Sequence, residues 1–292
     1  MKYMTKGTRR LMFYFAVAVF IGASYVAILY AQGYKYSAQE HRFIRTGAIS
    51  LNANADAKVF VDDELSGTTS FLANRFSVDG LLPGQYSIRL QRDNYSSWQK
   101  MPTVQEGFVT DFPRVLILPL DDENLAKLAS EAAEIFASLK VSQRETLGEQ
   151  LAEPTVLAKL KTSPTATPSP TPVEPFVLKN KVLTWQPDGL TGGEQSAQLQ
   201  ELGKNVAGFM ISESNKKMAW WTFNNELYVM WLADTDYQPV KKKGDRELVT
   251  RFATSINDIA WFRGDDQVIL LFKTGYRIVE IDTRGGVNII KI

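Results

Sequence analysis

The sequence contains no cysteine and a single histidine, His41. Without cysteine, the chain cannot form disulfides, thiolate nucleophiles, cysteine-ligated zinc sites or a lipid linkage through an N-terminal cysteine. His41 lies ten residues beyond the long apolar run near the N-terminus. Ser-His-Asp triads and metal sites with several histidine ligands are therefore excluded as well, and we expect no cofactor or metal.

Neither sign of charge is in clear excess, because 33 basic and 32 acidic side chains leave a net charge of +1. Residues 1–31 hold four basic side chains and no acidic one, so the remaining residues carry −3, from 29 basic and 32 acidic side chains. Nucleic-acid binding depends on neutralising phosphates with Lys and Arg. A mildly acidic body gives no electrostatic basis for it.

Charge is also missing from residues 11–31, a run of 21 residues from Leu11 to Ala31. As a helix the run is about 31 Å long, which matches the hydrocarbon thickness of a bilayer. The alternative is a cleaved signal peptide, but its apolar part is normally ~7–15 residues long. Tyr25 and Tyr30 also disrupt a small-residue cleavage site. We therefore predict a retained transmembrane helix at 11–31.

Basic residues flank this run on both sides, namely Lys2, Lys6, Arg9 and Arg10 before it and Lys35, Arg42 and Arg45 after it. The excess of basic residues on the N-terminal side predicts a cytoplasmic tail at 1–10 and an extracytoplasmic body at 32–292. The bilayer is the first expected partner of the chain.

A stretch rich in Pro, Ser and Thr at 162–175 (TSPTATPSPTPVEP) divides the body. This composition favours a polyproline II spacer, and O-linked glycosylation is the alternative. The spacer separates a first part, 47–161, from a second, 176–292.

Alternating apolar residues predict strands at 47–51, 58–62, 86–92 and 114–118 in the first part. Leu82-Pro83-Gly84 predicts a turn in which Gly84 supplies a positive φ, and Asn94 predicts another turn. The segment 47–120 resembles a PEGA domain through residues that follow this pattern: Gly47, 57–63 (AKVFVDD), 67–69 (GTT), 82–86 (LPGQY), Asn94-Tyr95 and Trp98.

The resemblance implies a small β-sandwich at 47–120 and an extracytoplasmic interaction module, not a catalyst. The turn and anchor positions that it implies are Asp62, Gly67, Pro83, Gly84, Tyr95 and Trp98.

Residues 121–161 form a helical segment by prediction. Apolar residues recur every three or four positions across 122–140, with Asp121 or Asp122 as N-cap, and we expect this helix to cover the preceding β-module. A partner-binding helix is the alternative. Residues 142–145 (SQRE) form a capping-box pattern that predicts a second short helix ending near Leu151.

The second part contains an internal repeat, since 206–209 align with 256–259 at a shift of 50 and 218–232 align with 268–282. Strands are predicted at 206–211, 216–223, 226–232, 256–262, 267–272, 276–282 and 287–292, with 176–185 as outer strands of a preceding unit. Four short strands per ~40–50 residues are typical of propeller blades, and the pattern resembles TolB-type β-propellers of exported bacterial proteins.

Five of the six tryptophans lie in this part, and we expect them between sheets and not in a carbohydrate platform. About two repeats cannot close a ring of ~4–8 blades alone. The apolar strand at 268–272 looks open to a neighbouring sheet, which favours truncation of a longer protein over pairing with a partner.

Short motifs that carry chemistry have plainer interpretations. Ser214–Lys217 matches S-x-x-K of penicillin-interacting serine enzymes, but it lies in a turn between strands. Three acid pairs are expected as turn and cap residues, not as paired acid and base or calcium ligands: Asp62-Asp63, Asp121-Asp122 and Asp265-Asp266.

The architecture therefore predicts a mainly β, membrane-anchored, non-catalytic protein of the cell envelope that binds another protein or cell-wall polysaccharide. The alternatives are a sensory subunit that couples ligand binding to the membrane helix, and an envelope-polymer hydrolase that uses carboxylates such as Asp62 or Asp265.

Overall fold

The computed structural model describes residues 6–69, 74–151, 176–185 and 200–292. The chain is mainly β, with a long apolar helix at its N-terminal end. It separates into two compact units: unit 1 comprises Met1–Leu118 with Arg284–Gly286, and unit 2 comprises Pro119–Thr283 with Val287–Ile292. The spacer predicted at 162–175 lies outside the described residues.

Unit 1 begins with helix α1, Lys6–Ala31, none of whose residues is buried. It is the one helix among the described residues that is long and apolar enough to cross a membrane. The helix ends at Ala31, as the sequence predicts, because Gly33 adopts a positive φ of 83° and its N–H donates to the Tyr30 carbonyl at 3.0 Å. Glycine suits this position since it has no Cβ to clash there.

The strands of unit 1 are β1 Tyr34–Ser37, β2 Arg42–Arg45, β3 Gly47–Ala53, β4 Lys58–Val61, β5 Glu64–Thr68, β6 Arg75–Leu81, β7 Gly84–Gln85, β8 Ile88–Gln91, β9 Trp98–Lys100, β10 Thr103–Val104 and β11 Val109–Val115. Strands β1 and β2 form a hairpin directly after α1. The larger sheets have the orders β11-β3-β6 and β5-β4-β8-β9. Strand β11 runs parallel to β3, whereas the other pairs in these two sheets are antiparallel.

These two sheets share one hydrophobic core. It includes Ile49 and Leu51 of β3, Val59 of β4, and Ile88 and Leu90 of β8, all fully buried. Inward and outward residues alternate along β4, as the period of two predicts. Trp98 from β9 fills the centre and meets the Phe112 ring of β11 edge-on, at 5.2 Å between centroids.

Three residues from the far end of the sequence, Arg284–Gly286, belong to unit 1. Met101 N–H donates to the Gly285 carbonyl at 2.7 Å, and the ammonium of the fully buried Lys100 donates to the Gly286 carbonyl at 2.7 Å. A Cβ on Gly285 would lie 2.5 Å from the Met101 backbone, so the approach requires glycine. Burying the Lys100 ammonium is tolerable because it has acceptors.

Unit 2 contains helix α2 Asp122–Leu151 and the strands β12 Phe176–Lys179, β13 Val182–Trp185, β14 Gln200–Gly203, β15 Val206–Ile211, β16 Lys217–Thr222, β17 Glu226–Trp231, β18 Arg246–Arg251, β19 Asp258–Trp261, β20 Gln267–Phe272, β21 Gly275–Glu280 and β22 Ile289–Lys291. Three antiparallel sheets follow one another along the chain: β12-β13-β14, β15-β16-β17-β18 and β19-β20-β21-β22. All seven strands predicted between 206 and 292 are present, and Asn225 and Gly275 both have a positive φ in equivalent hairpins.

The middle sheet of unit 2 is buried on both faces. Trp220 joins a core with the first sheet, whereas Trp221 joins a core with the last sheet. Adjacent strand residues must point to opposite faces, so the two rings separate as predicted. Both are buried, at 1% and 8% exposed, which confirms the prediction that these rings lie between sheets.

Helix α2 packs on the last sheet of unit 2. The Phe136 ring stacks on Tyr276 of β21 at 5.8 Å, and Glu131 pairs with Arg263 at 2.6 Å. Ile269 and Ile278 lie opposite each other on the Tyr276 face and are buried. The helix therefore covers the face that the sequence analysis expected to be open to a neighbouring sheet.

Several sequence-based expectations about α2 and about the strands of unit 1 are wrong. Helix α2 was expected on the preceding β-module, but it belongs to unit 2, where it packs on the last sheet. It is one helix and not two, because no Gly or Pro interrupts it before Gly148. Gly84 does not adopt a positive φ, since it extends into β7 and pairs with Val104. The strand predicted at 114–118 is instead β11, which ends at Val115.

The inter-sheet core of unit 2 yields a stability prediction. Trp221→Ala should lower the free energy of unfolding of unit 2 by about 3–5 kcal/mol, because it leaves a cavity between two sheets. Phe223→Ala is the matched control: Phe223 is 59% exposed and meets the Lys181 ammonium, so the loss should stay below about 1 kcal/mol. Urea titration of the full chain in detergent, followed by circular dichroism, measures both. Equal losses would contradict the packing.

Candidate functional site

The turn and anchor positions implied by the PEGA resemblance are distributed over unit 1. Asp62 and Asp63 form the hairpin between β4 and β5, both with positive φ, and Asp62 accepts the Ser87 N–H at 2.8 Å. Gly67 lies in β5, where a Cβ would come within 2.9 Å of the Phe76 ring. These residues shape the sheets and form no common site.

The remaining positions also have packing roles. Pro83 precedes β7, and the Tyr86 hydroxyl donates to the Leu82 carbonyl at 2.9 Å across this turn. Burial and the nearby Asp62 carboxylate raise the pKa of Tyr86. Tyr95 is half-buried under the Arg92 guanidinium, 4.4 Å above its ring, and Trp98 is a core residue.

A cleft of about 550 Å³ opens on the outer side of the β5-β4-β8-β9 sheet of unit 1. It is lined by Asp56, Ala57, Lys58, Phe60, Thr68, Thr69, Gln91, Arg92 and Asp93. Lys58 pairs with Thr68 on one side and with Gln91 on the other, so three polar side chains form a row across three strands. Because side chains alternate along β4, Lys58 and Phe60 lie on its outward face, which lines the cleft.

Arg92 forms one wall of this cleft. Its guanidinium pairs with the Asp56 carboxylate, donates to the Asp56 carbonyl at 3.2 Å and covers the Tyr95 ring. A planar guanidinium held by a carboxylate and a ring has few accessible orientations. The wall is therefore defined before any ligand arrives.

Phe60 and Thr69 of the cleft lining are each held by neighbouring groups. Arg89 lies 4.6 Å above the Phe60 ring and pairs with Asp63 at 3.2 Å. Thr69 is buried and accepts the Ala57 N–H at 2.8 Å, which fixes the end of β5 against the start of β4. With two acidic and two basic side chains, the lining offers both donors and acceptors at little net charge, a combination that suits a ligand rich in hydroxyl or amide groups.

The S-x-x-K motif of unit 2 is occupied by structural contacts. The buried Lys217 ammonium donates to the Asp265 carbonyl at 2.9 Å and pairs with the Asp266 carboxylate at 2.8 Å. The Ser214 hydroxyl hydrogen-bonds the Asp265 carboxylate. Asp265 and Asp266 thus hold a turn and a buried cation, and each pairs with a partner other than a second acid.

A second cluster of charged and polar side chains in unit 2 surrounds Glu226 on β17. Its carboxylate pairs with Arg251 of β18 and accepts hydrogen bonds from the hydroxyls of Thr222 at 3.2 Å and Tyr228 at 3.3 Å. The hydrogen bond from Arg251 is the main cause that lowers the pKa of Glu226. Burial and the Glu226 charge raise the pKa of Tyr228.

Asp121 is the N-cap of α2, since its carboxylate accepts the Asn124 N–H at 3.1 Å. Hydrogen bonds from Asn124 lower its pKa. Across the described ranges, no three or more His, Asp or Glu side chains are grouped closely enough to hold a metal ion.

Comparison with known proteins adds no assignment: the chain matches no protein-family model, and none of the curated proteins matches it significantly.

The Glu226 cluster predicts a pH dependence. A carboxylate with a lowered pKa stabilises the fold fully above its ordinary pKa of about 4.3, and this contribution is lost as the pH falls through the lowered value. Glu226→Gln should therefore destabilise unit 2 at neutral pH, and its deficit relative to the natural chain should shrink on acidification to about pH 3. Melting temperatures across this range measure it, with the exposed Glu213→Gln as control. A deficit that is constant with pH would contradict the ion pairing.

Proposed function

We propose that the chain is a single-pass membrane protein of the cell envelope that presents two β-modules outside the membrane and binds an envelope component without catalysing a reaction. The observation that carries the proposal is the joining of an apolar helix that has no buried residue to a β-module with a cleft on its outer sheet face. In this proposal residues 1–10 are cytoplasmic and residues 32–292 are extracytoplasmic.

The two modules fit this role as interaction modules. Two sheets around one core, a hairpin on Asp62-Asp63 and the Tyr86 ring next to the Leu82-Pro83-Gly84 turn support a PEGA-like assignment for unit 1. Three antiparallel sheets that follow in sequence and share cores support a propeller-like assignment for unit 2.

The cleft of unit 1 supports cell-wall polysaccharide over another protein as the partner. Its near-neutral lining and spread of donors and acceptors suit a polysaccharide of the cell wall, and an envelope protein is the other partner class. The carboxylates proposed for a hydrolase do not support catalysis, because Asp62 and Asp265 hold backbone and hydroxyl groups in turns.

The first test concerns topology. Protease added to intact cells or spheroplasts should digest the body of the chain, because residues 32–292 are proposed to lie outside. Immunoblots with tags at each end would show a protected N-terminal fragment. A body that is cut only after lysis would refute the orientation.

The second test concerns the cleft. Lys58→Ala combined with Gln91→Ala removes two neighbouring polar groups from its lining and should weaken retention of envelope polysaccharide about tenfold. The matched control is Lys179→Ala, which removes an exposed strand lysine from unit 2. The full chain in detergent is incubated with envelope extracts, and bound glycan and bound protein are scored separately. Unchanged retention of both classes would refute the cleft as the binding site.

A further inference from the structure

We infer that the turn 105–109 of unit 1 is a second membrane contact, in which Phe108 and Val109 enter the interfacial layer of the bilayer beside helix α1. This inference rests on the proposed function, since it requires α1 to span a membrane. It adds a lipid-binding surface on the folded body itself.

The turn is tied to the end of α1 through two short steps. The Gly33 carbonyl, two residues past the helix, accepts the Thr46 N–H at 2.8 Å and the Thr46 hydroxyl at 2.7 Å. The next residue, Gly47, is so close to the turn that a Cβ there would lie 2.5 Å from the Gln105 carbonyl oxygen. Ala48 N–H donates to the Phe108 carbonyl at 3.0 Å.

This path joins Phe108 to Gly33 through two hydrogen bonds and the two backbone steps from Thr46 to Ala48, so the turn lies beside the end of α1. The headgroup layer is about 5–8 Å deep on each side of the hydrocarbon. A phenylalanine side chain on a turn beside the helix end can therefore reach the boundary between headgroups and hydrocarbon.

The turn exposes two apolar side chains, although its backbone conformation does not require apolar residues at these positions. Phe108 N–H donates to the Gln105 carbonyl at 3.2 Å, and Gly107 has a φ of 73°, as a type II turn requires at this position. Such a turn has no need of Phe108 or Val109, yet they are 65% and 49% exposed. Phe112, three residues further along β11, is in contrast buried in the core.

Aromatic residues surround the same end of α1. The Phe43 ring of β2 meets the rings of Tyr30 and Tyr36 edge-on, at 6.2 and 5.5 Å between centroids. Tyr30 and Tyr36 are about half exposed. Amphipathic rings at this level favour the membrane–water interface.

A basic side chain lies along the turn. The stem and guanidinium of Arg45 approach Gly107 so closely that a Cβ there would be 3.2–3.3 Å from them. Arg45 is exposed and lies opposite Tyr34 in the β1–β2 hairpin. Cations with apolar stems beside exposed aromatic residues suit a bilayer surface, where the charge meets lipid phosphate and the stem meets acyl chains. This continuity with the membrane helix favours lipid over a protein partner.

The absence of cysteine allows a direct test with single-cysteine variants of the full chain. Phe108→Cys, carrying an environment-sensitive fluorophore, is reconstituted in phosphatidylcholine–phosphatidylglycerol vesicles. Phe20→Cys, 71% exposed in the middle of α1, reports on membrane insertion, and Leu65→Cys, 61% exposed on β5, is the matched control for a site in water. Quenching by aqueous iodide is compared with quenching by lipids that carry a quencher near the headgroup.

At position 108 we expect blue-shifted emission, strong quenching by lipid and a loss of iodide quenching relative to position 65. Iodide quenching at position 20 would refute the membrane span and the proposed function with it. Protection at position 20 combined with water-like behaviour at position 108 would overturn this inference alone. Val109→Cys gives a second reading at the same turn if Phe108→Cys does not fold by circular dichroism.

Discussion

Burial of the strand pair β16–β17 on both faces is the constraint on which unit 2 depends. Met218, Trp220 and Met230 fill a core with the first sheet, while Trp221, Leu227 and Val229 fill one with the last. A sheet that is apolar on both faces is unstable alone, so its neighbours are required for folding. At the far side of the last sheet, helix α2 takes the place of a further sheet through Phe136.

Local patterns predicted the parts of the fold that depend on them. The internal repeat and its apolar runs located β15–β17 and β19–β22, and Asn225 and Gly275 marked their turns, because positive φ restricts the choice of residue. Strand β18 (RELVTR) was missed, since it is an edge strand with charged ends and one buried residue. Long-range pairings such as the parallel contact of β11 with β3 carry no local signal, and so the limits of β11 were also wrong.

The candidate cleft was beyond sequence prediction for a similar reason. Its lining comes from β4, β5, β8 and the segments that flank them, which are up to 37 residues apart, from Asp56 to Asp93. In the sequence, Lys58 and Gln91 each look like an ordinary solvent-facing strand residue. Only the register of β4 with β8 shows that the two lie side by side. The paired acids were predicted correctly as turn residues, since Asp62-Asp63 follows an apolar strand in the manner of a hairpin.

The buried cations explain why motif-like residues carry no chemistry here. Lys100 and Lys217 are almost fully buried, and each directs its ammonium to a backbone carbonyl, that of Gly286 or of Asp265. A buried ammonium is tolerated only when its donors are satisfied, so these lysines fix distant chain segments in place and are not available to activate a serine. The polar groups that a ligand can meet therefore lie on outer surfaces. In the cleft of unit 1, Lys58 and Gln91 are exposed. At the end of α1, cationic and aromatic side chains adjoin the proposed bilayer.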